Sequence, residues 1–124
     1  MVSIIIPVYN GEKRIGKTLK FLEKQSDKDF EVVVVNDGST DKTQRVLNTI
    51  RLNYPIKVIR NEVNRGRAAT KNKGVKSAKG EIILFLDDDI FLNCHAVTLI
   101  KKFIEDKKNI ENPFSPHYCR RDSC

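Results

Sequence analysis

Between positions 2 and 8 the chain reads VSIIIPV, and between 30 and 37 it reads FEVVVVND, two short apolar runs with almost no polar interruption. Runs of this length without alternation belong to strands covered on both faces, the habit of parallel sheets. IKVIRN at 56–61 makes a third strand, and IILFL at 82–86 a fourth, expected to be covered on both faces, which stops against three carboxylates, Asp87, Asp88 and Asp89. Between the strands the apolar positions repeat with the helical period of about 3.6 residues. Ile15, Leu19 and Leu22 share one helical face in GEKRIGKTLKFLEKQ, and Asp41 with Gln44 reads as a helix start before Val46, Leu47 and Ile50. RGRAATKNKGVKSA predicts a weakly apolar helix, whereas Ala96, Val97, Ile100, Phe103 and Ile104 form a clean stripe. Strand and helix thus alternate along the chain, which predicts an α/β fold: a Rossmann-like parallel sheet, order 3-2-1-4, with helices on both faces.

Ligands of open parallel sheets gather beyond the carboxyl ends of the strands, near the point where strand order reverses. Pro7, Val8, Tyr9 and Asn10 stand at the end of the first strand, Asn36 and Asp37 end the second, Asn64, Arg65, Gly66 and Arg67 follow the third, and the three aspartates follow the fourth. Adjacent carboxylates repel one another, so a cation or a set of donors is needed to keep them ionised. Acids, an aromatic side chain and cations meeting in one crevice suit a nucleoside diphosphate held through a divalent metal. Each feature also has a plain reading: packing for Tyr9, an ordinary turn for Asp37–Gly38–Ser39–Thr40, a solvated Arg67 and a solvated acidic turn.

Composition narrows the choice. The 124 residues suit one domain, and 23 Lys and Arg against 16 Asp and Glu leave a net charge of +7. The basic residues are spread over presumed helix faces with little aromatic interleaving, which argues against nucleic acid while leaving phosphate affinity and peripheral membrane contact open. No apolar run approaches the roughly 18 residues of a membrane span, and no leader is visible, so a cytoplasmic protein is expected, with membrane association left open. Cys94, Cys119 and Cys124 fit free thiols, and no CxxC pair supports zinc beside His117. A calcium loop starting at Asp37 fails because Lys42 and Asn48 occupy the positions that require glycine and glutamate. There is no Walker loop, and PVYNGEKR after the first strand lacks the glycine pattern of a dinucleotide fold.

Taken in order and spacing, SIIIPVYN, VVVVNDGSTD, NRGRAATKNKG and AKGEIILFLDDDI resemble the nucleotide-sugar-binding half of glycosyltransferase family 2, which has the A-type glycosyltransferase fold. The resemblance covers roughly residues 2–106. It implies transfer of a sugar from a nucleoside diphosphate, commonly uridine diphosphate (UDP), to an acceptor hydroxyl with inversion, assisted by Mn2+ or Mg2+. By position, Pro7 and Tyr9 would line the base and ribose pocket beside Asn10, and Asp37 would accept a hydrogen bond from the base. Arg67, with Lys71, would lie near the base or diphosphate. Asp87 and Asp88 would sit by the ribose and diphosphate, and Asp89 would ligate the metal.

An inverting displacement also needs a general base on the acceptor side. None is found in this chain, and nothing supports Glu105, Asp106 or Glu111 in that role. The family supplies the base from a later part of the domain, so the expectation is a donor-binding half at 1–108 and an irregular or disordered tail of unrelated origin at 109–124, from a truncated gene, a frameshift or a deliberate fragment. The alternative is a nonenzymatic module that binds nucleotide and metal without transfer. With the acceptor half absent, the fourth strand would leave an edge open to a second copy.

Overall fold

The computed structural model describes residues 1–111. Its order is β1 (Val2–Val8), α1 (Ile15–Phe21, continued by a 3-10 turn at Leu22–Lys24), β2 (Phe30–Asp37), α2 (Thr43–Thr49), β3 (Ile56–Asn61), α3 (Arg67–Ser77), β4 (Ile82–Phe85) and α4 (Ala96–Glu111). The four strands form one parallel sheet in the order β3-β2-β1-β4, as the alternation predicts.

Side chains of successive residues point to opposite faces of a strand, so each strand feeds two cores. Val2, Ile4, Ile6 and Val8 of β1 and Phe30, Val32 and Val34 of β2 pack with Ile15, Leu19, Leu22, Leu47 and Val97, under α1, α2 and the start of α4. Ile5, Val33 and Val35 form the smaller core on the other face, under α3. There α3 approaches through small residues: Thr70 and Gly74 are its buried positions, and a Cβ on Gly74 would lie 2.5 Å from Cγ2 of Ile5. A helix seated by Thr and Gly leaves little apolar periodicity to read.

Three expectations are corrected. β4 takes the edge that the order 3-2-1-4 gives it, but it is not covered on both faces as its apolar run suggested: Ile82–Leu84 are half-buried and Phe85 is 45% exposed. Apolar content alone does not separate an edge from a centre. The Asp41–Gln44 start is also arranged differently: Asp41 Oδ1 accepts from the Thr43 amide at 2.9 Å, while the Gln44 side chain bonds Asn36 rather than reaching back. Finally α4 runs to Glu111, three residues past the boundary expected at 108, and the rest of the tail lies outside the described residues.

At the opposite end of the sheet from the strand carboxyl ends, Glu31 is buried and accepts from Ser3 Oγ and from the Lys79 amide, each at 2.6 Å. This ties the α3–β4 connection to β1 and β2 and so sets where β4 begins. Burial pushes the Glu31 carboxyl up, but these donors, with the Gly80 amide and Lys57, hold it below the usual glutamate value. A depressed pKa contributes stability that is present above the unfolded value and lost as pH falls through the folded one. Glu31→Gln is therefore expected to lower stability at pH 7 by about 1–3 kcal/mol and to flatten the acid limb below about pH 4.5. Urea denaturation across pH checks it, and an unchanged acid limb would contradict it.

Candidate donor-binding site

β1, β2, α3 and β4 deliver their ends to one cavity of about 280 Å3, lined by Pro7, Val8, Tyr9, Arg14, Asp37, Arg67, Thr70, Asp87, Asp88 and Asp89. It lies beyond the carboxyl ends of β1 and β4, beside the reversal of strand order, where the doubly wound rule puts a ligand. Of the residues singled out from sequence, Pro7, Tyr9, Asp37, Arg67, Asp87, Asp88 and Asp89 are brought together there.

Asn10 and Lys71 are not among the lining residues. Asn10 takes a positive φ of 50°, a conformation that Asn tolerates. Its Oδ1 accepts from the Thr40 and Asp41 amides at 2.8 and 3.3 Å, and its own amide donates to Ser39 Oγ, so it splices the β1–α1 and β2–α2 loops. Lys71 lies one turn into α3 with its Nζ 5.2 Å from the centre of the Phe85 ring, a cation–π contact on the flank of β4.

Asp37 is buried, and its carboxylate is occupied by the chain itself. Oδ1 accepts from Asn61 Nδ2 at 3.0 Å and the Arg65 amide at 2.8 Å, and Oδ2 accepts from the Gly66 amide at 3.1 Å. Burial pushes this carboxyl up, yet those donors, with Thr70, hold it below the ordinary aspartate value. Asp37 thereby fixes the β3–α3 loop and delivers Arg67, the first residue of α3, to the acidic turn.

The three aspartates differ in their company. Arg67 Nη2 donates to Asp87 Oδ1. Arg14, just before α1, grips Asp88 with Nη2 to Oδ2 at 3.1 Å and Nε to Oδ1 at 3.4 Å. Asp89 has no hydrogen-bond or ion-pair partner among the described residues, although it lines the cavity. Two of the three negative charges are thus matched by arginine and one is open.

A divalent cation fits that arrangement through Asp89. Among the described residues no three acidic, His or Cys side chains converge as a protein cage. Mg2+ and Mn2+ nevertheless accept one or two carboxylates with the remaining oxygens from phosphate and water, and Asp89 offers such a hard oxygen donor. The residues fit a cation shared with a diphosphate.

Arg14 and Thr70 are the lining residues that sequence reasoning missed. Thr70 is small and lies on a helix with little apolar signal. Arg14 resembles any solvated lysine or arginine near it, and nothing local announces its partner, which lies 74 positions away.

The family model described as "Glycosyl transferase family 2" matches residues 3–119. The chain belongs to that family. The match extends past residue 106, where the resemblance was expected to end. An uncharacterized glycosyltransferase of Haemophilus influenzae is 36% identical over 119 residues, covering 96% of this chain and 40% of its own length. The crystal structure of Staphylococcus aureus TarS 1–349 in complex with UDP-GlcNAc matches with a TM-score of 0.77 and 38% identity, over 84% of this chain and 31% of that one. A mannosyltransferase from Pyrobaculum calidifontis in complex with GDP-Man and Mn2+ matches with a TM-score of 0.68 and 31% identity, over 79% of this chain and 30% of that one. This glycosyltransferase chain therefore spans well under half the length of these relatives. Among its described residues no helix is long and apolar enough to cross a membrane.

Proposed function

We propose that this chain is the donor-binding half of a metal-dependent inverting glycosyltransferase site, taking a UDP-sugar and passing the sugar to an acceptor hydroxyl. The observation that carries the reading is the acidic turn at the end of β4 facing Arg67, Asp37 and Tyr9 across one cavity. The UDP-GlcNAc complex of TarS supports the choice of nucleotide, and the Mn2+ complex of the mannosyltransferase supports the cation.

Pro7 and the half-exposed ring of Tyr9 form the wall for base and ribose, with Asp37 at the base edge and Asp87 towards the ribose. Arg67 is 68% exposed, so its guanidinium can turn from Asp87 to a phosphate without uncovering any core. Its pairing with Asp87 costs little to exchange, since exposed ion pairs contribute only about 0–1 kcal/mol. Asp89 supplies the carboxylate for Mn2+ or Mg2+, which when bound neutralises the charge that grows on the departing diphosphate.

The acids that line the cavity are Asp37, Asp87, Asp88 and Asp89, all on the donor side, and neither Glu105 nor Asp106 is among the lining residues. The side chain of Glu111 lies outside the described residues. We therefore assign the general base to residues other than those described. Base assistance is worth roughly a hundredfold to ten-thousandfold, and acceptor orientation adds more. The 124-residue chain alone is accordingly expected to bind UDP but to show at most slow donor hydrolysis. Release of nucleoside diphosphate from uridine, guanosine and thymidine diphosphate sugars, with and without acceptor sugars, measures this. Acceptor-dependent turnover at an ordinary enzymatic rate would mean that the chain carries its own base.

A further inference from the structure

α1 presents two faces. Ile15, Leu19 and Leu22 enter the core, whereas Arg14, Thr18, Phe21 and Gln25, spaced four, three and four apart, meet the segment that follows β4. Arg14 holds the Asp88 carboxylate by two nitrogens, and Thr18 Oγ1 donates to the backbone carbonyl of the same residue. Farther along, the rings of Phe21 and Phe91 stack at 5.1 Å. Gln25 closes the series: Nε2 donates to the Asn93 carbonyl, and Oε1 accepts from the Val97 amide at 3.2 Å, at the start of α4. One helix edge thus grips the acidic turn and its exit at successive points. Asp88 is the aspartate fastened by both side chain and main chain.

We propose that Arg14 and Thr18 are positioning residues for the cation site, clamping Asp88 to α1 as an anchor so that its neighbour Asp89 is the carboxylate presented to the cation. The inference rests on the donor-site reading above and assigns within it which aspartate binds and which one holds. A carboxylate engaged by both arms of a guanidinium has its strongest acceptor directions filled. Three free carboxylates in a row would instead repel one another and spread over several orientations. Arg14 is 46% exposed, so its pairing contributes little to folding and its effect is geometric.

The test is the Mn2+ affinity of the 124-residue chain at saturating UDP, measured by calorimetry for wild type, Arg14→Met, Asp88→Asn, their double variant and Asp89→Asn. Arg14→Met and Asp88→Asn are each expected to weaken Mn2+ binding about tenfold, the scale of outer-shell partners of a metal ligand. The double variant is expected to lose no more than either single one, because both break the same pair. Arg14→Lys restores part of the affinity, since lysine keeps the charge but not the fork, and Thr18→Val acts in the same direction as Arg14→Met. Amide exchange across residues 87–95 rises in Arg14→Met while β1 and β2 keep wild-type protection, which separates a loosened turn from a damaged fold. Unchanged Mn2+ affinity in Arg14→Met would overturn the proposal by showing that the clamp does not position the site, and a loss in Asp88→Asn as large as in Asp89→Asn would overturn it by making Asp88 a ligand. Failure of the donor-site reading looks different: wild type itself would show no coupling between Mn2+ and UDP, and this inference would fall with it.

Discussion

Asp89→Asn is expected to erase the tightening of UDP binding by Mn2+ while leaving the fold intact. Asp89 is exposed and has no partner among the described residues, so its replacement disturbs no core and is expected to change stability by no more than about 0.5 kcal/mol. Its effect on the ligand is large because diphosphate and aspartates are all anionic and share one cavity. Without a cation they repel, and the carboxamide of Asn is a weaker oxygen donor to a hard cation than a carboxylate. Outer-shell partners of a metal cost roughly ten- to a hundredfold when removed, so loss of the ligand itself is expected to cost about a hundredfold or more. Calorimetric titration of UDP into wild type and Asp89→Asn, each with and without Mn2+, decides the matter. The same metal dependence in both proteins would show that another group holds the cation.

Gly38→Ala is expected to be the most damaging small substitution in the site's scaffold. Gly38 follows Asp37 with φ at 68°, and a Cβ there would lie 2.4 Å from the Asn64 amide nitrogen and 2.5 Å from the Val63 carbonyl carbon. Those neighbours are backbone and cannot rotate away. Left-handed strain and overpacking together are expected to cost at least about 3 kcal/mol. The loop that must shift is the one held by Asp37 through the Arg65 and Gly66 amides, so UDP binding is expected to weaken in whatever fraction still folds. Gly66→Ala makes the comparison: its φ of 92° also strains an alanine, but nothing lies within 4 Å, leaving about 1–2 kcal/mol of conformational cost alone. Urea denaturation followed by circular dichroism measures both. Equal losses would mean that the close approach at Gly38 is tolerated.

The convergence of the candidate residues is legible in the sequence because a parallel sheet gathers the ends of its strands. Once VSIIIPV, FEVVVVND and IILFL are placed side by side, Tyr9, Asp37 and Asp87 must come near one another, whatever the loops do. Whether a residue near a strand end lines the cavity depends on which way its side chain turns. Asn10 sits at the right end of the right strand, but its amide is spent on the Thr40 and Asp41 backbone. Lys71 lies one turn after Arg67, yet its ammonium rests against Phe85 outside the cavity.

By itself the sequence determined the alternation of strands and helices, the parallel α/β class and the acidic turn, because each follows from local periodicity and from charges adjacent along the chain. Only the tertiary structure decided what surrounds each charge. Arg14 and Asp88 are 74 positions apart, and Asp37 meets the Arg65 and Gly66 amides from 28 and 29 positions away. No periodicity along the chain encodes such pairings. They exist because α1 and the β3–α3 loop converge on the end of the sheet, where a folded chain satisfies two of the three aspartates and leaves Asp89 open.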